Sequence, residues 1–435
     1  MTRKVFLILL ALVLAFSVGL VACGGGEQEE EEEEEEELPV TVYIGGSFPL
    51  TGPYPEDGAA VLAAFQNYAE WVNTNHKMAP WSTDSFPEWV TLEVLQMDDG
   101  ASPPTALTNY AALKGQGLKM FRISGSGIAT AMKDTLLADN VAATTMASGP
   151  YLVTPRVGTI FSNYPIYTDQ AAAIADWFFA SWNATYPGVK PRVAYLTNNS
   201  FGMTVPTAEM DAYLTKKGYE VVKPVQVLPA VPAGPGDATT ALLWCKTNNI
   251  NLTLGAMLVA GAVPTMTEAE TLGIGVGQAY EMTIGLCSPA HLVIFLRDAP
   301  AGTGNGLVIA GSYAPWSDTS DGIAFCKTLM NSYMSGGFKD TEHIMYQHGV
   351  VEAMIQVEAI RLALINTGKT ADKLTSADIL NEGFLKISGF DTKGLIPTTI
   401  TYGIGDVEGA ESVRVDQNQN GVDVLLGQFP LRHVY

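Results

Sequence analysis

The chain has 435 residues with 24 basic and 45 acidic side chains, which give a formal net charge of −21. Without residues 1–37 it keeps 22 basic and 35 acidic side chains, a charge of −13 that argues against nucleic acid as a ligand. The remaining length predicts two domains. Cys245, Cys287 and Cys326 are too sparse for a disulfide scaffold, and whether any pair forms a bridge stays open.

The amino-terminal segment has the layout of a secretory signal. Two basic residues precede an apolar run over residues 5–21. A spanning helix needs about 20 apolar residues, so the end of the run decides its interpretation. Residues 20–23, "LVAC", resemble the lipobox of bacterial lipoproteins. The resemblance implies a signal peptide over residues 1–22 and a lipid on Cys23; the alternative is an uncleaved membrane helix that contains a cysteine.

Residues 23–39 are interpreted as a tether. Three glycines at 24–26 are followed by acidic residues, with an unbroken glutamate run over 29–37. Because like charges repel and the segment cannot form a core, a solvated spacer is expected. Fully extended, it would reach on the order of 50 Å, enough to hold a domain clear of a membrane. The alternative for the acidic run is binding of a basic partner or a metal.

Strand patterns alternate with helical patterns from residue 41 onward. The first series predicts strands at 41–46, 91–97, 119–123 and 141–146 and helices from about 58, at 104–116 and at 130–138. The second predicts strands at 192–197, 219–227, 252–258 and 281–286 and helices at 169–177, 209–217, near 242 and at 263–272. Each series is a βαβα order, which is typical of a parallel sheet with helices on both faces.

The last third departs from this order. It predicts a strand at 306–312, helices at 321–334, 346–366 and 376–381, and glycine-punctuated strands up to Tyr435. Such segments would return to complete both earlier sheets, so a multi-strand hinge is expected. The predicted fold class is α/β, with two Rossmann-like lobes that contain parallel sheets.

Several stretches resemble the type I periplasmic binding proteins that serve branched-chain amino acid ABC importers. They lie at 45–65, with its Pro-Leu-Thr-Gly loop, at 92–113, at 192–222 and at 394–429. The resemblance implies one lobe from residues 40–164 and 313–392, and a second lobe from residues 165–312 and 393–435. It also implies a monomer that binds a small-molecule ligand and docks on ABC permease subunits.

The cleft of such a protein is expected beyond the carboxyl ends of the strands, where helix N-termini offer N–H donors to an anion. By resemblance, Ser126 in the loop "ISGSG" meets a ligand carboxylate. Ser148 falls where a side chain bonds both ends of an amino acid, and Ala147 would offer backbone atoms. Tyr54 and Asp57 face the cleft from the first loop. The alternative for both serine loops is an ordinary turn after a strand.

The hinge and the second lobe supply the other candidates by resemblance. Asn163, Tyr164 and Tyr167 lie near the first hinge crossing, and Phe201 with Gly202 forms an aromatic-glycine pair that would close over the ligand. The alternative for the aromatic residues is a place in the core.

One departure from the family concerns the second-lobe carboxylate that pairs with a ligand ammonium. The chain has Ile284, Gly285 and Leu286 at that place, and Glu281 comes too early. Either Asp57 takes over this role, or the ligand lacks an amino group. An amino acid, an organic or aromatic acid and an amide all stay open as ligands.

These observations predict a lipid-anchored, extracytoplasmic substrate-binding protein that delivers a small polar solute to an ABC importer. No catalytic constellation, cofactor or metal is expected. The sequence "DQNQNG" at 416–421 imitates a calcium loop but is better interpreted as a hairpin turn, for which Asn-Gly is a preferred pair. The alternatives are a surface-anchored α/β hydrolase and a ligand-sensing ectodomain.

Overall fold

The computed structural model describes residues 39–146, 148–149, 152, 158–229, 234–287, 292–333 and 343–435. The predicted signal peptide, the predicted lipidation site Cys23, the predicted tether except Pro39, and the candidate Ala147 lie outside the described residues. None of the helices in the described ranges combines the length and the hydropathy that a membrane span requires.

The first sheet is entirely parallel, with the strand order β2-β1-β3-β4-β5. Its strands are β1 (Val40–Phe48), β2 (Val90–Asp98), β3 (Phe121–Ile123), β4 (Ala143–Thr145) and β5 (Ile160–Ser162). The helices between them are α1 (Pro55–Asn75), α2 (Pro103–Gly115) and α3 (Ser126–Asp139). All residues of β3, β4 and β5 are buried, as expected of strands covered on both faces.

The second sheet begins with a similar series. Its first strands are β6 (Arg192–Asn198), β7 (Glu220–Val221), β8 (Gln226–Leu228), β9 (Leu252–Ala256), β10 (Thr283–Cys287) and β11 (Val308–Gly311). The helices are α4 (Tyr167–Thr185), α5 (Ala208–Lys217), α6 (Thr239–Thr247), α7 (Val259–Thr271) and α8 (Leu292–Asp298), with 3₁₀ turns at Phe201–Thr204 and Pro235–Ala238. The single strand predicted at 219–227 is divided into β7 and β8, both beside β6, around Pro224, which has no N–H to donate.

In the last third of the chain, helices pack against the first sheet and strands join the second sheet. Its helices are α9 (Asp321–Tyr333), α10 (Ile344–Thr367) and α11 (Ser376–Asp378), with a 3₁₀ turn at Ala371–Lys373 before α11 and, after it, a π turn at Ile379–Gly383 and a 3₁₀ turn at Phe384–Lys386. Its strands β12 (Ser412–Gln419) and β13 (Val422–Pro430) extend the second sheet in the order β13-β12-β11-β10-β9-β6-β7; β12 pairs antiparallel with β11, and β13 pairs antiparallel with β12.

Two predictions for this region have different outcomes. The hairpin turn is confirmed, since Asn420 and Gly421 both have positive φ values, 57° and 87°, between the paired ends of β12 and β13. The prediction of glycine-punctuated strands is wrong for residues 394–403, where only isolated bridges at Phe390 with Ile400 and at Gly403 with Asp406 form. Pro397 interrupts this segment and cannot donate to a ladder.

The chain passes between the two sheets three times. It crosses after β5 and after β11, and it returns before β12, where Ser162 pairs with residues 407–409 through two backbone hydrogen bonds of 2.7 and 2.8 Å. The later strands join only the second sheet, whereas α10 packs on α1 and on the first sheet. The α/β class with two parallel-sheet lobes is therefore confirmed; the lobe boundaries stay a prediction.

The three described cysteines are free thiols. Cys245, Cys287 and Cys326 are buried, and burial raises the pKa of Cys245 to about 12. The cysteines pack as small apolar residues, and no bridge joins these three.

Candidate ligand-binding site

A cavity of about 420 Å³ lies between the carboxyl ends of the two sheets. The first lobe lines it with the loop after β1, the start of α1, the loops after β2, β3 and β4, and the start of α3. The second lobe lines it with Ser200, Phe201, Leu258 and Ile294, and α10 adds Met345. Of the predicted site residues, the cavity wall includes Tyr54, Asp57, Ser126, Ser148, Tyr164, Tyr167 and Phe201.

The N-terminus of α3 opens on the cavity. Ser126 is the first residue of this helix, after Gly125, and both line the wall. The N–H groups of the first helical turn have no partner within a helix, and they favour an anion. Ser124 lies beside them and donates its hydroxyl to Asp99 at 2.6 Å. This corner of the cavity therefore presents several donors to a negatively charged group.

Ser148 lies on the next loop, and its side chain is tied to the backbone. Its hydroxyl donates to the carbonyl of Met146 at 3.1 Å, and its own carbonyl accepts from the N–H of Tyr167 at 2.7 Å. The second bond connects the loop after β4 to the start of α4. The hydroxyl oxygen keeps acceptor capacity toward a ligand.

Asp57 and Tyr54 form the side of the cavity near α1. Burial raises the pKa of Asp57 to about 6, and burial lowers the pKa of His343 to about 4. The His343 Nε2 lies 3.4 Å from the carboxylate, while Nδ1 accepts from the N–H of Met345 at 3.3 Å. At neutral pH this contact therefore joins a neutral imidazole N–H to an ionised carboxylate. Burial also raises the pKa of Tyr54.

Arg122 is a buried cation on the cavity wall. It is 1% exposed, donates from Nε to Glu352 at 3.0 Å and from Nη1 to the carbonyl of Ser47 at 3.1 Å. Its guanidinium also lies 5.2 Å from the ring centre of Phe48. Glu352 is fully buried and burial raises its pKa, which Arg122 opposes. The guanidinium of Arg122 thus lies behind the polar corner of the cavity, with its charge paired to Glu352.

Aromatic rings stack where the chain first crosses between the sheets. Tyr164 stacks on Tyr313 and on His348, with ring centres 6.0 and 5.3 Å apart. The Tyr164 hydroxyl lies so close to Gly311 that a Cβ there would collide with it. Asn163 is buried beside this stack but faces away from the cavity wall, because its amide donates to the Tyr313 hydroxyl at 2.7 Å.

The second lobe contributes an uncharged wall. The Phe201 ring lies 5.7 Å from that of Tyr167 and covers the cavity from this side. Gly202 is not on the wall: its N–H donates to Asn198 at 3.1 Å, and a Cβ would collide with Thr197 and with the carbonyl of Ala256. Close backbone packing accounts for a glycine at this position, and a contact of Gly202 with the ligand stays a prediction.

The second-lobe carboxylate is missing from the described wall. Glu281 is exposed and precedes β10, at the amino end of the strand, whereas Ile284 and Leu286 are buried within it. Among the described lining residues, Asp57 is the only acid. The loop over residues 288–291 lies outside the described ranges.

Sequence reasoning missed several lining residues. Arg122 had a signal, since a single arginine inside the apolar strand pattern "KMFRI" marks a buried, paired charge. Ser124 belongs to the same loop as Ser126. The sequence contained no signal for Leu258, Ile294 and Met345 as lining residues, because apolar residues at helix starts occur throughout this chain.

Comparison with known proteins identifies the family. A family model described as "Periplasmic binding protein" matches residues 41–393. The chain belongs to the periplasmic binding protein family, whose members are extracytoplasmic. A search of curated protein sequences finds no match.

Solved structures share the fold at low identity. A branched-chain amino acid ABC transporter protein from Thermus thermophilus, with bound valine, is 18% identical with a TM-score of 0.75, over 91% of this chain and 98% of that one. A fatty acid ABC transporter substrate-binding protein from Thermomonospora curvata is 17% identical with a TM-score of 0.71, over 92% and 96%. A leucine-binding protein from Thermotoga maritima is 17% identical with a TM-score of 0.67, over 89% and 99%.

Proposed function

We propose that this chain is a lipid-anchored substrate-binding protein that captures a small carboxylate, or a related amide, between its lobes and delivers it to an ABC importer. The observation that carries the proposal is the cavity of about 420 Å³ lined from both lobes at the carboxyl ends of their strands. Contacts made from both sides at once favour the closed state of a hinged protein, so ligand binding and closure are coupled.

The distribution of polar groups supports a ligand with one acidic end. The N-terminus of α3, Ser126 and the charge of Arg122 converge at one corner, while Ile128, Met146 and Phe201 supply apolar surface elsewhere. Two of the similar structures are named for valine and for a fatty acid, and both of these are carboxylates with an apolar chain. An amino acid would need a counter-ion for its ammonium group, and Asp57 is our candidate.

A thermal-shift screen tests the ligand class. Valine and leucine, short fatty acids, aromatic acids and their amides are compared as stabilising ligands. Stabilisation by the fatty acids or aromatic acids alone would remove amino acids from the proposal. If no member of any class raises the melting temperature or gives heat in calorimetry, the capture of a small carboxylate is wrong.

Two serine substitutions test the site. Ser126→Ala and Ser148→Ala are each expected to weaken binding of the ligand identified in the screen by about 1–3 kcal/mol, the range for a hydrogen bond to a charged group. Ser181→Ala is the control, because Ser181 is exposed on α4 away from the cavity. Unchanged calorimetric affinity in both cavity variants would remove these loops from the site.

The anchor has its own test. Cys23→Ser is expected to move the protein from the membrane fraction to the soluble fraction after cell lysis. Retention of this variant in the membrane would favour an uncleaved amino-terminal helix over a lipid on Cys23.

A further inference from the structure

A cluster of three potential metal ligands lies at the back of the hinge, away from the cavity wall. It consists of Asp169 in the first turn of α4, Glu408 in the connection that precedes β12, and His433 in the carboxyl-terminal tail. Their ligand atoms all lie within 4.8 Å of one another. The three residues come from three separate chain segments, so their convergence is produced by the fold.

Each carboxylate in this cluster keeps one oxygen without a hydrogen-bond partner. Asp169 is 1% exposed; its Oδ1 accepts from the N–H groups of Arg432 and Val434 at 3.0 and 3.2 Å, while Oδ2 is buried and unpartnered. Glu408 is 4% exposed, and its Oε1 is also buried and unpartnered. Buried carboxylate oxygens without hydrogen-bond partners in one cluster are costly when charged, unless a positive species binds them.

The neighbouring cation does not serve this purpose. The guanidinium of Arg432 binds Asp176 at 2.6 and 2.9 Å, so only the backbone of Arg432 contacts Asp169. The described side chains around the cluster therefore leave Asp169 Oδ2 and Glu408 Oε1 without a hydrogen-bond donor.

We propose that Asp169, Glu408 and His433 bind a divalent transition-metal ion, with Zn²⁺ the preferred ion. One imidazole nitrogen and two carboxylate oxygens are a ligand set that Zn²⁺ accepts, with a fourth position open to water. The His433 side chain is 58% exposed and its Nδ1 lies 3.8 Å from Glu408 Oε2, so the site has an entry path from solvent. Ca²⁺ requires six to eight oxygen ligands and does not fit this set.

An ion here would fasten the hinge. Asp169 lies two residues from Tyr167, which lines the cavity, and Glu408 lies in the segment that pairs with Ser162 at the end of β5. The ion would connect the first and third crossings between the lobes with the carboxyl-terminal tail. The sequence analysis expected no metal, because residues 169, 408 and 433 are too far apart in the sequence to form a recognisable motif. The proposed site departs from that expectation.

The experiment uses the purified full chain after treatment with EDTA and removal of the chelator, without any solute. Addition of Zn²⁺ is expected to raise the melting temperature by about 2–5 °C at saturation and to give a binding isotherm with one ion per chain. Ca²⁺ and Mg²⁺ are expected to give no shift. Absence of both the zinc-dependent shift and the heat of binding would overturn the proposal.

Matched variants locate the ion. His433→Ala and Glu408→Gln should each weaken zinc affinity by at least about tenfold. Even residues that only hydrogen-bond to metal ligands typically contribute that much to metal affinity. His433 is exposed, so its loss leaves the fold intact if Glu408→Gln does not fold. The controls His76→Ala and Glu209→Gln, which lie on other elements, should bind zinc as the parent does. Equal zinc affinity in His433→Ala and in the parent would place the ion elsewhere and refute the site. Because no solute is present, this result is independent of the proposed transport function.

Discussion

The two walls of the cavity are built by similar strand-loop-helix units but differ in chemistry. The first-lobe wall contains a helix N-terminus, three serines, Asp57 and Arg122, whereas the described second-lobe wall has Tyr167, the exposed Ser200 and three apolar residues. The same topology thus serves two purposes. We expect the first wall to recognise the charged end of a ligand and the second to cover it and exclude water.

The largest effect that we expect concerns the fixed charge of the first wall. Arg122→Met leaves Glu352 buried without its partner, and breaking a buried ion pair costs about 3–5 kcal/mol. Urea denaturation measures this loss. The double variant Arg122→Met with Glu352→Met replaces both charges and should recover much of it. If Arg122→Met is as stable as the parent, the buried ion pair of Arg122 with Glu352 does not stabilise the first wall.

Glycine substitutions compare Gly127, which lines the first wall, with Gly202, which packs behind the second wall. Gly202→Ala should destabilise the protein by about 1–3 kcal/mol, because its Cβ would collide with the Ala256 carbonyl. Gly127→Ala, in the first turn of α3, has only Pro103 at 4.0 Å and should leave unfolding unchanged while it crowds the ligand. Chemical denaturation and calorimetry separate the two effects. Equal stability of both variants would contradict the packing role of Gly202.

A pH titration tests the acid of the first wall. Asp57 has an ordinary pKa of 3.8 and a folded pKa of about 6, so the folded state holds the proton more tightly. Its contribution to stability is complete below pH 3.8 and is lost as the pH rises through about 6. The parent should therefore lose about 1 kcal/mol relative to Asp57→Asn over this window, a value reduced by solvent screening. The measurement is urea denaturation at intervals from pH 4 to 7.

His343 makes the Asp57→Asn comparison necessary. Its lowered pKa, about 4 against 6.5, gives stability that is present above pH 6.5 and lost as the pH falls. This trend opposes that of Asp57, so the parent alone would show only their difference. Parallel stability curves for the parent and Asp57→Asn would show that the carboxyl is not perturbed.

Local patterns were sufficient to predict most of the fold. The alternation of apolar strand runs with amphipathic helices indicated both parallel sheets, and Asn420–Gly421 indicated the final hairpin. Sheet membership was harder, because the pairing of β12 with β11 joins residues more than 100 positions apart and depends on packing rather than propensity. The glycine-punctuated region was expected to form strands, but residues 394–403 form only isolated bridges, because Pro397 cannot donate to a ladder.

The candidate site also contains residues that could be predicted and residues whose orientation depends on distant partners. Ser126 and Ser148 follow strands whose carboxyl ends meet at one edge, and the resemblance to the family together with this order predicted that they would face one cavity. Asn163 and Gly202 are next to residues that line the cavity but do not line it themselves. Asn163 is oriented by Tyr313, and Gly202 packs against the carbonyl of Ala256, and both partners lie far along the chain. The pairing of Arg122 with Glu352 likewise joins residues 230 positions apart.

The smallest effect that we expect is on the second wall. Ser200 is exposed, and its backbone N–H donates to Asn198 at 2.8 Å, which holds the loop independently of the hydroxyl. Ser200→Ala should therefore change ligand affinity by less than about 0.5 kcal/mol, the usual range for a surface substitution, against the larger loss expected for Ser126→Ala. Calorimetry of the two variants with the same ligand makes the comparison directly. If Ser200→Ala costs as much as Ser126→Ala, the charged end of the ligand is held by both walls, and the division between a recognising and a covering wall is wrong.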